Sequence, residues 1–330
     1  MNTQVMPISE KSLALAKDIL FSEGVVAFPT ETVYGLGADA RSDKAVSEVF
    51  KIKGRPSDNP LIVHVHKDYD LNTLIKNEKS YVKELKKAFL PGPLTLVYES
   101  KGCVSKFVSC GLNTLAIRVP SHEGAQEFLR KVNIPIAAPS ANISKHVSPV
   151  SAEHVFNDLN GSLPLILDGG QCFGGIESTV CDVTGDIPVI LRSGLVSREM
   201  IESVVGRCDI YNFKQGEIAR SPGMKYKHYS PKCKTKLYKS DEKELAKKEI
   251  ISLRDAGTKV YVLCEDLISS EFSNEYVLNL GKTEFEMAAN LYDLLRKGEE
   301  IADIIIAIEP IKKDGVMEGV LNRLRKACAE

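Results

Sequence analysis

The stretch NFKQGEIARSPGMKYKHYSPKCK, residues 212 to 234, constrains the architecture most, because it carries prolines, glycines and positive charges without any apolar periodicity. Such a segment cannot bury a face against a core, so it reads as a linker that cuts the chain in two. With 330 residues and 43% hydrophobic content, there is enough apolar surface for each part to have a core of its own.

Both parts alternate helical and strand patterns. Ser9 is placed to cap a helix whose apolar positions Leu13, Ala16, Ile19 and Leu20 run to Gly24, and a strand follows over Val25 to Phe28. Ser42 or Asp43 opens a helix with Val46, Val49 and Phe50 on one face, closed by Gly54 and Pro56. Further strands are expected at 61–66, 94–98, 114–119, 136–138, 165–167, 178–183 and 189–192, with helices near 80–89, 123–131, 151–158 and 197–204. More strands than helices predicts an α/β domain on a twisted mixed sheet over residues 1–211. After the linker, residues 235–330 repeat a βα pattern, which predicts a small Rossmann-like α/β domain.

Charge and cysteine usage narrow the function. Lys plus Arg number 43 against 44 Asp plus Glu, so no global field attracts a polyanion and strong direct nucleic-acid binding is not expected. The eight cysteines form no C-x-x-C pair and read as reduced thiols. Nothing resembles a targeting leader or a long apolar span, and the expected location is the cytoplasm.

Two phosphate-binding motifs fail on inspection. Gly35-Leu36-Gly37 is followed by Ala40 where the dinucleotide fingerprint needs glycine, and Gly281-Lys282-Thr283 has Tyr276 where a P-loop needs its first glycine. The turn FPTETVYGLGAD (28–39) nevertheless has the glycines of a backbone that must approach something closely, often a phosphate. Four other stretches carry chemistry. Lys51, Lys53 and Arg55 stand at a helix end, where cations complement the dipole, but Arg55 and Asn59 sit in a proline-stiffened loop beyond the cap that suits phosphate oxygens. On strand 61–66, Ile62, His64 and His66 share a face; two histidines at this spacing could ligate a metal, but no third ligand stands nearby and no metal is expected. Arg118, mid-strand among apolar residues, is either half of an internal salt bridge or the anchor for a bound carboxylate. Ile136 to Ser144, with Ser148, Arg192 and Gly169-Gly170, places several polar strand ends at one cleft.

The ordered set Thr30-Glu-Thr32-x-Tyr34-Gly-Leu-Gly37, Lys53-x-Arg55-Pro, Pro91-Gly-Pro93-Leu-Thr, Ala116-x-Arg118-x-Pro120, Pro139-Ser140-Ala-Asn142 and Ser178-Thr179-x-x-Asp182 resembles the YrdC-like L-threonylcarbamoyladenylate synthase family. The linker Ser221 to Pro231 and the α/β tail are similar to its longer, two-domain members. The resemblance implies that L-threonine, bicarbonate or CO2, and ATP give threonylcarbamoyl-AMP and pyrophosphate, with Mg2+ carried on the ATP. It also implies hand-over to a transferase that modifies an adenosine beside the tRNA anticodon. By the same resemblance Thr32, His64, Arg118, Ala138 and Ser178 form the threonine pocket. Lys53, Arg55, Asn59, Thr114, Ser140, Asn142, Ser148, Arg192 and the linker's Tyr229 form the ATP side, with Lys53 and Arg55 offsetting charge in the reaction. Two rivals stand beside this reading. One is an RNA binder built on the positive strips 51–55 and 225–228 and the tyrosines interleaved in the linker; the other is a carbamoyl-adenylating enzyme, whose usual extra modules are not visible.

Overall fold

A computed structural model describes residues 2–211 and 229–329; the linker residues 212–228, including Lys225, Tyr226, Lys227 and His228, lie outside the described residues. Eleven strands form one sheet in the order Gln4–Pro7, Leu165–Asp168, Val26–Phe28, Gly35–Asp39, Ile136–Ala137, Ile62–His64, Thr114–Arg118, Leu94–Glu99, Thr179–Asp182, Val189–Arg192 and Asp209–Ile210. Parallel and antiparallel neighbours are mixed: Ile62–His64 runs parallel to Thr114–Arg118, which runs antiparallel to Leu94–Glu99. The second sheet holds four strands, all parallel, with Ile304–Ile308 between Lys234–Tyr238 and Val260–Cys264, and Val277–Asn279 at the far edge. No helix among the described residues is long and apolar enough to cross a membrane.

Local signals account for most element ends. Ser9 caps the Glu10–Phe21 helix in a reciprocal box with Ser12, and Gly54, at φ +58°, ends Asp43–Lys53 in the left-handed conformation that glycine adopts without strain. The P-loop-like tail is a helix start: Thr283 caps Glu284–Ile301, and Glu286 Oε2 accepts from the backbone N–H of Lys282 at 2.8 Å and of Thr283 at 2.9 Å.

The turn around the two threonines is shorter than the sequence suggests, because Gly35–Asp39 is a strand paired antiparallel to Val26–Phe28. Its glycines make room for protein rather than for a phosphate. A Cβ on Gly35 would lie 3.1 Å from the Phe28 ring, and one on Gly37 would lie 2.8 Å from Ile136 Cγ2 and 2.9 Å from that ring. The strands Gln4–Pro7, Asp209–Ile210 and Val277–Asn279 are likewise unmarked by alternation; each is two to four residues long and lies at a sheet edge, too short for a period to register.

The expectation of separate cores needs one amendment. The N-terminal part has apolar clusters of its own, one around Val46, Leu61 and Leu96 and another around Leu13, Phe28 and Phe128. A third is common to both parts: Tyr34, Leu36 and Val147 belong to the same cluster as Leu291, Tyr292, Met317 and Leu324. The helices Glu284–Ile301 and Val316–Ala327 therefore pack on the large domain as well as on their own sheet.

Candidate active site

The strand register sets one end of a cleft. Across adjacent strands His64 lies opposite Arg118, and Arg118 lies opposite Thr95. The Thr95 hydroxyl is 2.8 Å from the Ser178 hydroxyl, so His64, Arg118 and Ser178 come abreast, although 54 and 60 positions separate them in sequence. Ala138 joins the same wall through its N–H, which donates to the Ile62 carbonyl at 2.9 Å.

Arg118 makes an internal ion pair and also lines the cleft, so its two alternatives are not exclusive. Its Nη2 is 2.9 Å from Glu31 Oε1, and both side chains are buried. Neither Glu31 oxygen nor Arg118 Nε or Nη2 makes an aligned hydrogen bond among the described residues, so the pair is held by charge. Beside it, burial and then the Arg118 charge push the His64 imidazole down to about 3, which leaves it neutral, and its Nδ1 has no partner among the described residues. His66 is turned elsewhere: the strand ends at His64, and the His66 ring meets Asn133 Oδ1 at 2.9 Å and the Asp68 N–H at 3.2 Å. The two histidines do not converge.

The other end collects one buried cation, Lys53, and two half-buried ones, Arg55 and Arg192. Lys53 Nζ donates to the carbonyls of Ser140 and Asn142, the latter at 2.6 Å, and burial followed by the neighbouring Arg55 charge lowers its pKa well below the ordinary lysine value. Arg55 Nη2 donates to the Asn59 carbonyl at 2.9 Å, and burial brings its pKa down to about 10. Arg192 donates through Nε and Nη2 to the Ser178 carbonyl, at 3.1 and 2.9 Å, and is lowered by burial and by Arg323. Three cations in one cleft, one buried and two half-buried, form a site whose free energy falls when an anion enters. Ser140, Asn142, Ser148 and Tyr229 line the same end.

Three expected residues stand off the wall. Thr32 is fully buried behind Thr30, their hydroxyls 2.9 Å apart, and Thr30 is the one that faces the cleft. Asn59 is buried with its amide unpartnered among the described residues. Thr114 begins the Arg118 strand, opposite Glu99, away from the cleft.

Sequence reasoning passed over Glu177, whose carboxylate lies in the wall. Burial pushes it up, but Arg323, Arg192 and the Ser148 hydroxyl at 2.6 Å outweigh that and hold it at about 2. It also passed over His146, whose ring lies 3.0 Å from Asp158 and 2.9 Å from Glu299. The available signal was charge on an apolar stripe: Arg323 falls in line with Val316, Val320 and Ala327, and Arg296 with Tyr292 and Ala288.

An α/β cleft that sets a buried ion pair against a cluster of three cations has the character of a site for a small polar molecule beside an anion. Residues 18–194 match the model of the Sua5, YciO and YrdC family, described as telomere recombination, and residues 196–329 match the C-terminal domain of threonylcarbamoyl-AMP synthase. The chain belongs to this family, in its two-domain form. It is 40% identical over 326 residues to a threonylcarbamoyl-AMP synthase of Pyrococcus abyssi, covering 97% of this chain and 95% of that one. It is 41% identical over 331 residues to one of Bacillus subtilis, covering 99% and 95%. The crystal structure of P. abyssi Sua5 complexed with L-threonine superposes with a TM-score of 0.90 at 39% identity, covering 99% of this chain and 97% of that one.

Proposed function

We propose that this chain is an L-threonylcarbamoyladenylate synthase, which joins L-threonine, CO2 or bicarbonate, and ATP into threonylcarbamoyl-AMP with release of pyrophosphate. The observation that carries the reading is the meeting of Lys53, Arg55 and Arg192 with the His64, Arg118 and Ser178 row in one cleft. In this reading Arg118 takes the α-carboxylate of threonine, and neutral His64, Ala138 and Ser178 complete the pocket. Thr32 acts through Thr30.

The threonine amine adds to CO2 to give a carbamate. A carbamate oxygen then attacks the α-phosphorus of ATP in line, and pyrophosphate leaves. The work of the protein is positioning and charge: Lys53, Arg55 and Arg192 offset the charge that builds on the phosphate oxygens. Asn59 contributes by fixing Arg55 through its carbonyl, while Ser140, Asn142 and Ser148 supply polar contacts to the nucleotide. Mg2+ comes in on the triphosphate. Tyr229, in the wall with a backbone φ of +68° that a bulky residue rarely adopts, is held where its ring can meet the nucleotide. The product passes in the cytoplasm to a transferase acting on tRNA.

Pyrophosphate release from ATP with each amino acid in turn tests this. Threonine is expected to support it without any RNA present; equal release with serine, or with no amino acid, overturns the reading.

A further inference from the structure

Two side chains of the C-terminal domain end at the cleft wall. From helix Glu284–Ile301, the Tyr292 hydroxyl donates to Glu177 Oε2 at 2.9 Å. From helix Val316–Ala327, Arg323 Nε donates to the same oxygen at 3.1 Å, while its other nitrogens donate to the carbonyls of Glu177, at 3.4 Å, and Ser193. The remaining carboxylate oxygen, Oε1, accepts from Ser148. The next carbonyl along, that of Ser178, is the one that seats Arg192. Two consecutive carbonyls are thus gripped by arginines from two different domains.

The approach is as close as the backbone allows. A Cβ on Gly319 of the last helix would lie 3.1 Å from Gly194 Cα, and a Cβ on Gly194 would lie 2.5 Å from the Thr179 nitrogen and 2.6 Å from the Glu177 carbonyl oxygen. The Tyr292 ring stacks on Tyr229, centroids 5.3 Å apart at 29°. Arg323 and Tyr292 are both fully buried, and a buried arginine needs a reason. Domain adhesion is met by the shared apolar cluster around Leu291, Met317 and Leu324. What the polar pair adds is specific to Glu177. Left to itself, that carboxylate could pair with a cation of the cleft and hold it away from an incoming anion. With Oε2 taken by Tyr292 and Arg323, it is satisfied from behind.

We propose that Tyr292 and Arg323 are positioning residues for the nucleotide end of the cleft. Arg323 fixes the Glu177–Ser178 strip that carries Ser148 and Arg192, and Tyr292 backs the Tyr229 ring. The inference rests on reading that end of the cleft as the ATP site.

The test is calorimetry on the full chain with L-threonine and, separately, a non-hydrolysable ATP analogue. Tyr292→Phe keeps the stack and loses the hydroxyl that meets both Glu177 and Tyr229, and is expected to weaken the analogue about three-fold. Tyr292→Leu loses both and should weaken it roughly ten-fold, and Arg323→Met by roughly ten- to thirty-fold, with Arg323→Lys recovering part of that loss. Threonine affinity, which depends on this strip only through Ser178, should fall by less than the analogue's in every variant. If Arg323→Met does not fold, the Tyr292 series and Arg323→Lys decide. Wild-type analogue affinity in folded variants, or a parallel loss for threonine and analogue, would overturn the inference while leaving the proposed activity standing. A wild-type chain that binds no nucleotide would remove both.

Discussion

The two ends of the cleft are built on different plans. The end proposed for threonine is a row across neighbouring strands of one sheet, His64, Arg118 and Thr95, with Ser178 reached through a hydroxyl contact, and the other is the end proposed for the nucleotide. The nucleotide end is assembled from a helix terminus at Lys53, the loop from Ser140 to Ser148, a strand end at Arg192, and two helices of another domain. A sheet register positions side chains through backbone hydrogen bonds that survive many substitutions. A loop-and-interface site depends on side chains to hold side chains, so its geometry is set by packing between domains.

The comparison predicts unequal damage. The largest effect is expected from Lys53→Met, which removes a reacting-end cation and leaves the Ser140 and Asn142 carbonyls without their donor; kcat/KM should fall about 100- to 1000-fold in a pyrophosphate-release assay. Unchanged kcat/KM would show that the cation cluster is structural. Arg118→Met comes next, and the structure adds a complication, because it strands the Glu31 carboxylate in the core. A stability loss of about 3–5 kcal/mol by denaturant melts is expected for the single variant. Pairing it with Glu31→Gln relieves that charge. The double variant should then fold, bind threonine roughly ten- to a hundred-fold more weakly, and keep its affinity for nucleotide. Loss of nucleotide affinity as well would mean that the two ends are not separable.

A pH scan sharpens the interface half of the comparison. His146 stands between Asp158 of the large domain and Glu299 of the small one; burial and the nearby Arg296 oppose its charge, but the two carboxylates raise its pKa above the ordinary histidine value. A raised folded-state pKa means that the stabilisation is fully present below about pH 6.5, the unfolded value, and is lost as pH rises through the folded value. The wild-type melting temperature should therefore fall across that window, by roughly 2–4 °C if about 1 kcal/mol is at stake, and His146→Gln should flatten the slope. The smallest effect belongs to Thr283→Ala, which uncaps the helix that carries Tyr292. About 1 kcal/mol of stability should go, with both ligand affinities unchanged. A shift in nucleotide affinity here would show that the interface transmits even distant loosening of that helix.

Legibility followed the same division. The helix starts at Ser9 and at Ser42, the latter left open with Asp43, were readable because a cap is a local hydrogen bond between residues two or three apart. The strand that carries Arg118 was readable because period-two alternation is local too, but Arg118 is its last residue rather than a mid-strand one. Gly35 and Gly37 misled, since the object that comes close to them is Phe28, seven or more positions back on the paired strand. The pairing of Arg118 with Glu31 joins residues 87 positions apart, and no local pattern reports it.

What the sequence determined by itself is the α/β class and the ordered polar motifs that supply most of the cleft wall, because each is a matter of periodicity or residue type along a short run. What only the tertiary structure decided is which charges face one another. Glu177 with Tyr292 and Arg323, and His146 with Asp158 and Glu299, are chosen by how two helices of the small domain seat on the large one. That seating is the sum of many dispersed apolar contacts and close glycine approaches, and a sum over distant residues leaves no signature in any one stretch of chain.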